Sequence, residues 1–162
     1  MSEQEQKKLR ILQVNKAYFP HIGGIESLVR TFSRELNRRA EVQVLVCQEK
    51  GKGEDRTVEG VPVHYASSLG TYFSCPVSFS FFRKFRQMAK QADVVEIHMP
   101  FPLADAACLL SGYRGAVVVA WHSDVVRQKN SCGCTVRYCC AFCAVWTASL
   151  WQRRGTSPVP RF

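Results

Sequence analysis

A doubly wound, largely parallel α/β sheet is the fold class that this sequence predicts, and three observations predict it. Short β-branched and apolar runs recur between Leu9 and Ala120, with helix-period segments between them. Loops bearing Gly or Pro follow the first run and the run Val94-Val95-Glu96-Ile97. The run Ala116-Val117-Val118-Val119-Ala120 is nearly continuous, as in strands buried on both faces of a parallel sheet. Strand and helix in alternation pack as helices on the two faces of one sheet.

Leu9 to Val14 is the first strand, and Tyr18-Phe19-Pro20-His21-Ile22-Gly23-Gly24 is the loop that ends it. From Ile25 the apolar positions Ile25, Leu28, Val29, Phe32 and Leu36 recur at helical spacing, with Arg30, Arg34, Glu35, Arg38 and Arg39 opposite, so an amphipathic helix follows. Val42 to Cys47 reads as the second strand, Gln48 to Arg56 as a charged Gly-containing loop, and Val61 to Ala66 as a third strand after a turn at Glu59-Gly60. Phe79, Phe82, Phe85, Arg86 and Met88-Ala89 predict a helix ending near Lys90. The strand Val94 to Ile97, the Pro-rich loop His98-Met99-Pro100-Phe101-Pro102 and a helix from Leu103 to Leu110 closed by Gly112 complete the alternation.

The chain of 162 residues has room for one domain of ordinary size, with 46% hydrophobic and 22% charged residues. No apolar run approaches the roughly eighteen residues of a membrane span. Met1 to Lys8 is polar, with no apolar segment of a secretory signal behind it, so the expected compartment is the cytoplasm and the expected cysteines are reduced. A net charge of +9 favours anionic partners such as phosphorylated ligands or an acidic lipid surface. Nucleic acid has nothing beyond that charge to recommend it, and no specific nucleic-acid partner is expected.

Composition changes near Asn130: five of the eight Cys fall between Cys132 and Cys143, and no Asp or Glu follows Asp124. Residues 1–130 therefore read as one domain and 131–162 as an irregular, Cys-rich tail. Cys140-Ala141-Phe142-Cys143 is the single C-x₂-C and no His follows Asp124, so the spacing does not make a zinc ribbon or finger, and no metal or other cofactor is expected. A displaced reading frame accounts for the tail better. Shifted by two bases, Trp146 before Thr147 reads as Asp, Trp151 before Gln152 as Ala, and Cys139, Cys140 and Cys143 after their neighbours as Leu, which suits an amphipathic helix followed by a strand. A sheet without its completing strand and helix is expected to keep an uncovered edge and apolar face.

In doubly wound sheets ligands bind beyond the carboxyl ends of the strands, so three loops hold the candidate residues. The first carries Asn15, Lys16, His21, Gly23, Gly24 and Glu26. Paired glycines ahead of a helix either let backbone N–H groups approach a phosphate at its positive end or serve turn geometry alone. The second loop offers His98, which is either a structural imidazole or a ligand-facing one. The third offers His122, Ser123 and Asp124 directly after the most apolar strand. A neutral imidazole there can donate to a sugar hydroxyl or carbonyl. A separate stretch, Phe79, Phe81, Phe82, Arg83, Lys84, Phe85 and Arg86, combines aromatic and basic residues in a way that suits either an anionic lipid interface or a core helix with a solvated basic face.

Taken together, Ile11-Leu12-Gln13-Val14-Asn15-Lys16, Tyr18-Phe19-Pro20-His21-Ile22-Gly23-Gly24-Ile25-Glu26, His98-Met99-Pro100-Phe101-Pro102-Leu103-Ala104 and Trp121-His122-Ser123-Asp124 resemble the N-terminal half of a bacterial family 4 glycosyltransferase, over nearly all of residues 8–128. The resemblance implies a Rossmann-like domain, one of two facing each other across a cleft in the GT-B architecture. It implies transfer of a sugar from a nucleotide-sugar donor, with retention and without an essential metal, to a sugar or lipid-linked acceptor. Gly23 and Gly24 are then expected against the donor diphosphate and His122, as the catalytic residue, near the transferred sugar. His98, Ser123, Asp124 and Lys16 are expected on the acceptor side. The family's second domain, with its basic pair and glutamate motif, is not encoded in these residues, so little or no turnover is expected of this chain alone. A non-catalytic phospho-sugar binder and a membrane-surface module are the alternatives, and the setting implied is cytoplasmic, with peripheral contact to the inner face of the membrane.

Overall fold

Among the residues that the computed structural model describes, 8–21, 23–72 and 75–122, lie eight strands and three helices. In chain order they are β1 (Arg10–Val14), α1 (Gly24–Leu36), β2 (Glu41–Cys47), β3 (Glu54–Val58), β4 (Val61–Ala66), β5 (Gly70–Tyr72), β6 (Cys75–Val77), α2 (Phe79–Ala89), β7 (Val94–Met99), α3 (Pro102–Ser111) and β8 (Ala116–Trp121). Six strands form one sheet in the order β3-β4-β2-β1-β7-β8, and β5 pairs with β6 in a separate two-stranded ribbon. All neighbours in the large sheet are parallel except β3, which runs antiparallel to β4 at one edge. The predicted Rossmann-like α/β class is therefore the observed one. The tail at 131–162, with its cysteines, lies outside the described residues, as do Ser123 and Asp124.

Alternation of side chains along β1 and β2 sorts the core onto two faces. Val42, Val44 and Val46 join Tyr18, Val29, Val61, Val63 and Tyr65 in one buried cluster, with Ile25 and Leu36 of α1 packed against it. On α2, Phe81 and Phe85 are fully buried, and Phe81 meets Phe101 edge to face at 5.4 Å between ring centroids. Ser78 caps α2: its side-chain oxygen accepts from the Phe81 backbone N–H at 3.1 Å. Ser78→Ala is expected to cost about 1 kcal/mol, measured as a lower urea midpoint at unchanged slope.

Several elements depart from the sequence reading. Leu28 and Phe32 of α1 are exposed, and the helix instead buries Val29 and Ser33. The reason is a polar ladder under the helix: the Ser33 hydroxyl donates to Gln13 Oε1, and Gln13 Nε2 donates to Glu96 Oε2 at 3.0 Å. Gln13 is fully buried, and its amide turns α1 so that a hydroxyl, not an aromatic ring, faces the sheet. β8 is not buried on both faces; it is the edge strand among the described residues, and Val118, Val119 and Trp121 are 48%, 41% and 44% exposed. Part of the expected loop Gln48 to Arg56 is strand β3, joined to β4 through Glu59 and Gly60, both at positive φ (50° and 81°), as hairpin turns of matching twist require. Finally, His98 and Met99 belong to β7 and Pro102 opens α3, so the second loop is shorter than its prolines suggested.

Candidate functional site

Strand order reverses at β1: the chain passes from β1 outward through β2 and β4, then returns to place β7 on the other flank of β1. The carboxyl ends of β1 and β7 flank this switch point, where open α/β sheets bind ligands. Val14 pairs with Ile97, His98 with Ala120 and Met99 with Trp121, so the ends of β1, β7 and β8 are level. Register thereby brings Lys16, His98 and His122 to one edge of the sheet.

The exit from β1 is fixed by Asn15, which is buried and donates from Nδ2 to the Ala17 carbonyl at 2.9 Å while its backbone N–H donates to Leu45 at 3.2 Å. Lys16 then lines a cleft of about 450 Å³ together with His21, Cys47, Gln48, Lys50 and Thr71. The following loop is held from three sides. Tyr18 is buried, the Tyr65 hydroxyl donates to the Phe19 carbonyl, and the Arg30 guanidinium lies 4.7 Å above the Phe19 ring centroid while pairing with Glu59. That pairing holds the Glu59 carboxyl below the usual range.

Gly23 is the N-cap of α1 and Gly24 its first residue. Neither has the positive φ that glycine alone tolerates, so turn geometry does not demand them. A Cβ on Gly23 would sit 2.2 Å from Glu26 Oε2, because the Glu26 side chain folds back across the cap, and a Cβ on Gly24 would meet nothing within 4 Å. The start of α1 thus carries its own acid: the Glu26 carboxylate lies across the cap at the positive end of the helix, and an anion binding at these N–H groups would displace it.

His98 and His122 touch. His98 Nδ1 lies 2.8 Å from His122 Nε2, with the rings stacked at 5.1 Å between centroids and 15° between planes. His98 is 3% exposed and its Nε2 is buried without a hydrogen-bond partner. Burial, with His122 as a second cause, pulls its pKa down to about 4, so the ring is neutral at physiological pH. His122 is half-buried, and its backbone N–H donates to the Met99 carbonyl at 3.3 Å, tying it to the end of β7.

Two buried groups and one half-buried thiol near these elements escaped the sequence reading. Cys47 is buried at the end of β2, where desolvation pushes its thiol up to about 12, and Cys75 of β6 is raised for the same reason. Asp105 of α3 is fully buried, both carboxylate oxygens lack a partner, and burial raises its pKa to about 7. Nothing in Leu103-Ala104-Asp105-Ala106-Ala107-Cys108 signals which way the acid points, because apolar residues surround it on every helical face.

The aromatic and basic stretch resolves mainly into core. Phe81 and Phe85 are buried, Lys84 donates to Asp55 at 2.7 Å, and Phe79 is left outside at 78% exposure. This matches a core helix with a solvated basic face.

The sequence is 31% identical over 124 residues to the O-antigen chain mannosyltransferase C of Escherichia coli, covering 75% of this chain and 33% of that protein. It is 31% identical over 123 residues to the D-rhamnosyltransferase WbpZ of Pseudomonas aeruginosa, covering 75% of this chain and 32% of the relative. The chain thus spans about a third of the length of the curated relatives it matches. Residues 22–141 match the family described as Glycosyltransferase Family 4, a span that contains the α1 N-terminus, His98 and His122, and on that match the chain belongs to this family.

Proposed function

We propose that this chain is the acceptor-side domain of a retaining glycosyltransferase that moves a hexose from a nucleoside-diphosphate sugar to a sugar or lipid-linked acceptor. The observation that carries the reading is the gathering of Lys16 and the His98–His122 pair around one switch point. In this assignment Gly23 and Gly24 approach the donor diphosphate and His122 faces the transferred sugar. Lys16 and His98, with Ser123 and Asp124 beyond the described residues, belong to the acceptor side. The relatives are named for mannose and D-rhamnose transfer, so a nucleoside-diphosphate mannose is the donor to test first. By the resemblance to the family, the clamp for the departing diphosphate belongs to a second domain, and this chain spans about a third of its relatives' length, so the chain by itself is expected to bind donor weakly and to turn over little. The setting is cytoplasmic, with peripheral contact to the inner face of the membrane. Among the described residues no helix is long and apolar enough to cross a membrane.

A titration of nucleoside-diphosphate mannose into ¹⁵N-labelled chain, followed by amide chemical shifts, tests the assignment. Shifts are expected at Gly24, Ile25 and His122. Gly24→Asp adds a negative charge at the helix start and is expected to weaken binding about tenfold, the change that about 1.4 kcal/mol produces. Millimolar donor that moves no resonance at this edge, or a Gly24→Asp chain that binds as well as the parent, would sink the reading.

A further inference from the structure

The contact between the two histidines determines where their protons sit. We infer that His98 is a positioning residue: it donates from Nδ1 to His122 Nε2 and thereby holds His122 as the Nδ1–H tautomer, a hydrogen-bond donor toward the sugar. This rests on the role proposed for His122 above.

One proton occupies the 2.8 Å gap between His98 Nδ1 and His122 Nε2, and it comes from one ring or the other. If His122 donated, neutral His98 would carry its own proton on Nε2. That atom is buried and has no partner, so an N–H would be stranded there. Buried N–H groups without an acceptor are rarer than acceptors left unfilled, because every such donor forfeits the hydrogen bond it makes in water. A cationic His98 would strand the same N–H and bury a charge as well. The remaining arrangement puts the His98 proton on Nδ1, leaves its Nε2 bare, and fills the His122 Nε2 lone pair. His122 must then carry its own proton on Nδ1.

The geometry is rigid enough to enforce this. His98 lies in β7, hydrogen-bonded between β1 and β8, and is paired in register with Ala120. His122 is held to Met99 by its backbone N–H, and the two rings are nearly coplanar in their stack. With Nε2 engaged, His122 can give a hydrogen bond through Nδ1 to a hydroxyl or phosphate oxygen, but it cannot accept a proton at Nε2 without breaking the contact. Transfer with retention, as proposed, needs such fixed donors at the leaving side of the sugar and no general base in this position.

Long-range ¹H–¹⁵N spectra of the full chain labelled in its histidines read both tautomers directly, with resonances assigned by their loss in His98→Gln and His122→Gln. In the parent protein both rings are expected as the Nδ1–H tautomer: His122 with a protonated Nδ1 and a pyridine-type Nε2 that accepts from His98, and His98 with its proton on Nδ1 and its buried Nε2 bare. His98→Phe, which fills the space without a donor, is expected to release His122 to a mixture dominated by the Nε2–H form. His98→Gln, whose side-chain amide supplies a donor again, is expected to restore Nδ1–H. A protonated Nε2 on His122 in the parent protein overturns the inference, and so does a His98→Phe chain whose His122 spectrum is unchanged. Should His98→Phe fail to fold, the parent spectrum still decides. The donor titration described above fails independently: the expected tautomer without donor-induced shifts would remove the sugar as the target of the Nδ1–H group, whereas shifts with the wrong tautomer would remove His98 as its positioning residue.

Discussion

Phe81→Ala is expected to destabilise the domain by about 4 kcal/mol, a large share of the roughly 5–15 kcal/mol that holds an ordinary domain together. The residue is fully buried, as is Phe85 one turn later, and Phe101 at the start of α3 is 1% exposed. Phe81 packs against both, at 6.2 Å from the Phe85 ring centroid and 5.4 Å from that of Phe101, the latter edge to face. Removing its ring opens a cavity that neither neighbour can fill, because each is held by its own helix, and it deletes two aromatic contacts beyond the lost apolar burial. The consequence reaches the site, since Phe101 is the N-cap of α3 and follows β7 by a single proline, two residues after Met99, which receives the His122 backbone hydrogen bond. Urea denaturation followed by circular dichroism measures the effect, and Phe79→Ala is the control. Phe79 sits on the same helix at 78% exposure, so its truncation is expected to change stability by less than about 0.5 kcal/mol. Equal effects of the two substitutions would contradict the packing described here.

The contrast between Phe79 and Phe81 marks how far the sequence alone reaches. Strand and helix alternation was legible because β-branched runs and Gly/Pro loops signal it locally, and the class, the strand ends and the candidate histidines followed from that. What required the fold is everything set by register or by polar partners. The apolar spacing of Ile25, Leu28, Val29, Phe32 and Leu36 finds a helix but not its rotation, which the Ser33–Gln13–Glu96 ladder sets from two other strands. The run Ala116 to Ala120 reads as a central strand because apolar content is indistinguishable between a buried strand and an edge whose neighbour is not among the described residues. β3 was hidden for the opposite reason: Glu54, Asp55, Arg56 and Thr57 carry no alternation, as suits a solvated edge. His98 and His122 were each placed at a strand end, yet their contact depends on the pairing of β7 with β8, which brings residues 24 positions apart to 2.8 Å.

Asp105 is the group from which the strongest pH dependence is expected, and the sign follows from its burial. Its pKa rises from 3.8 to about 7 in the folded chain because its carboxylate is fully buried and unpartnered. Below pH 4 the group is neutral in folded and unfolded chains alike and contributes no difference. Between about pH 4 and 7 the unfolded chain ionises and the folded one does not, so stability falls as pH rises through that window and levels above it, by an upper limit on the order of 4 kcal/mol. Cys75 of β6, whose thiol is raised further by burial and by Asp105, stays neutral throughout this window and adds nothing to the slope. His98 acts in the opposite sense. Its pKa is lowered from 6.5 to about 4, so it stabilises the folded chain above pH 6.5 and that contribution is lost as pH falls toward 4. The two slopes oppose each other in the parent protein, which is therefore expected to show a shallow profile. Asp105→Asn removes one of them: its stability is expected to climb from pH 4 to 6.5 under His98 alone. The variant carries an unsatisfied amide at every pH, at a cost of about 1–3 kcal/mol, and is expected to start below the parent at pH 4 and to overtake it between about pH 4.5 and 6. Denaturation midpoints at half-unit pH steps for the two chains measure the difference curve, and a curve that stays flat from pH 4 to 7 would mean that Asp105 is ionised in the folded protein and has a partner or water that its buried position does not reveal.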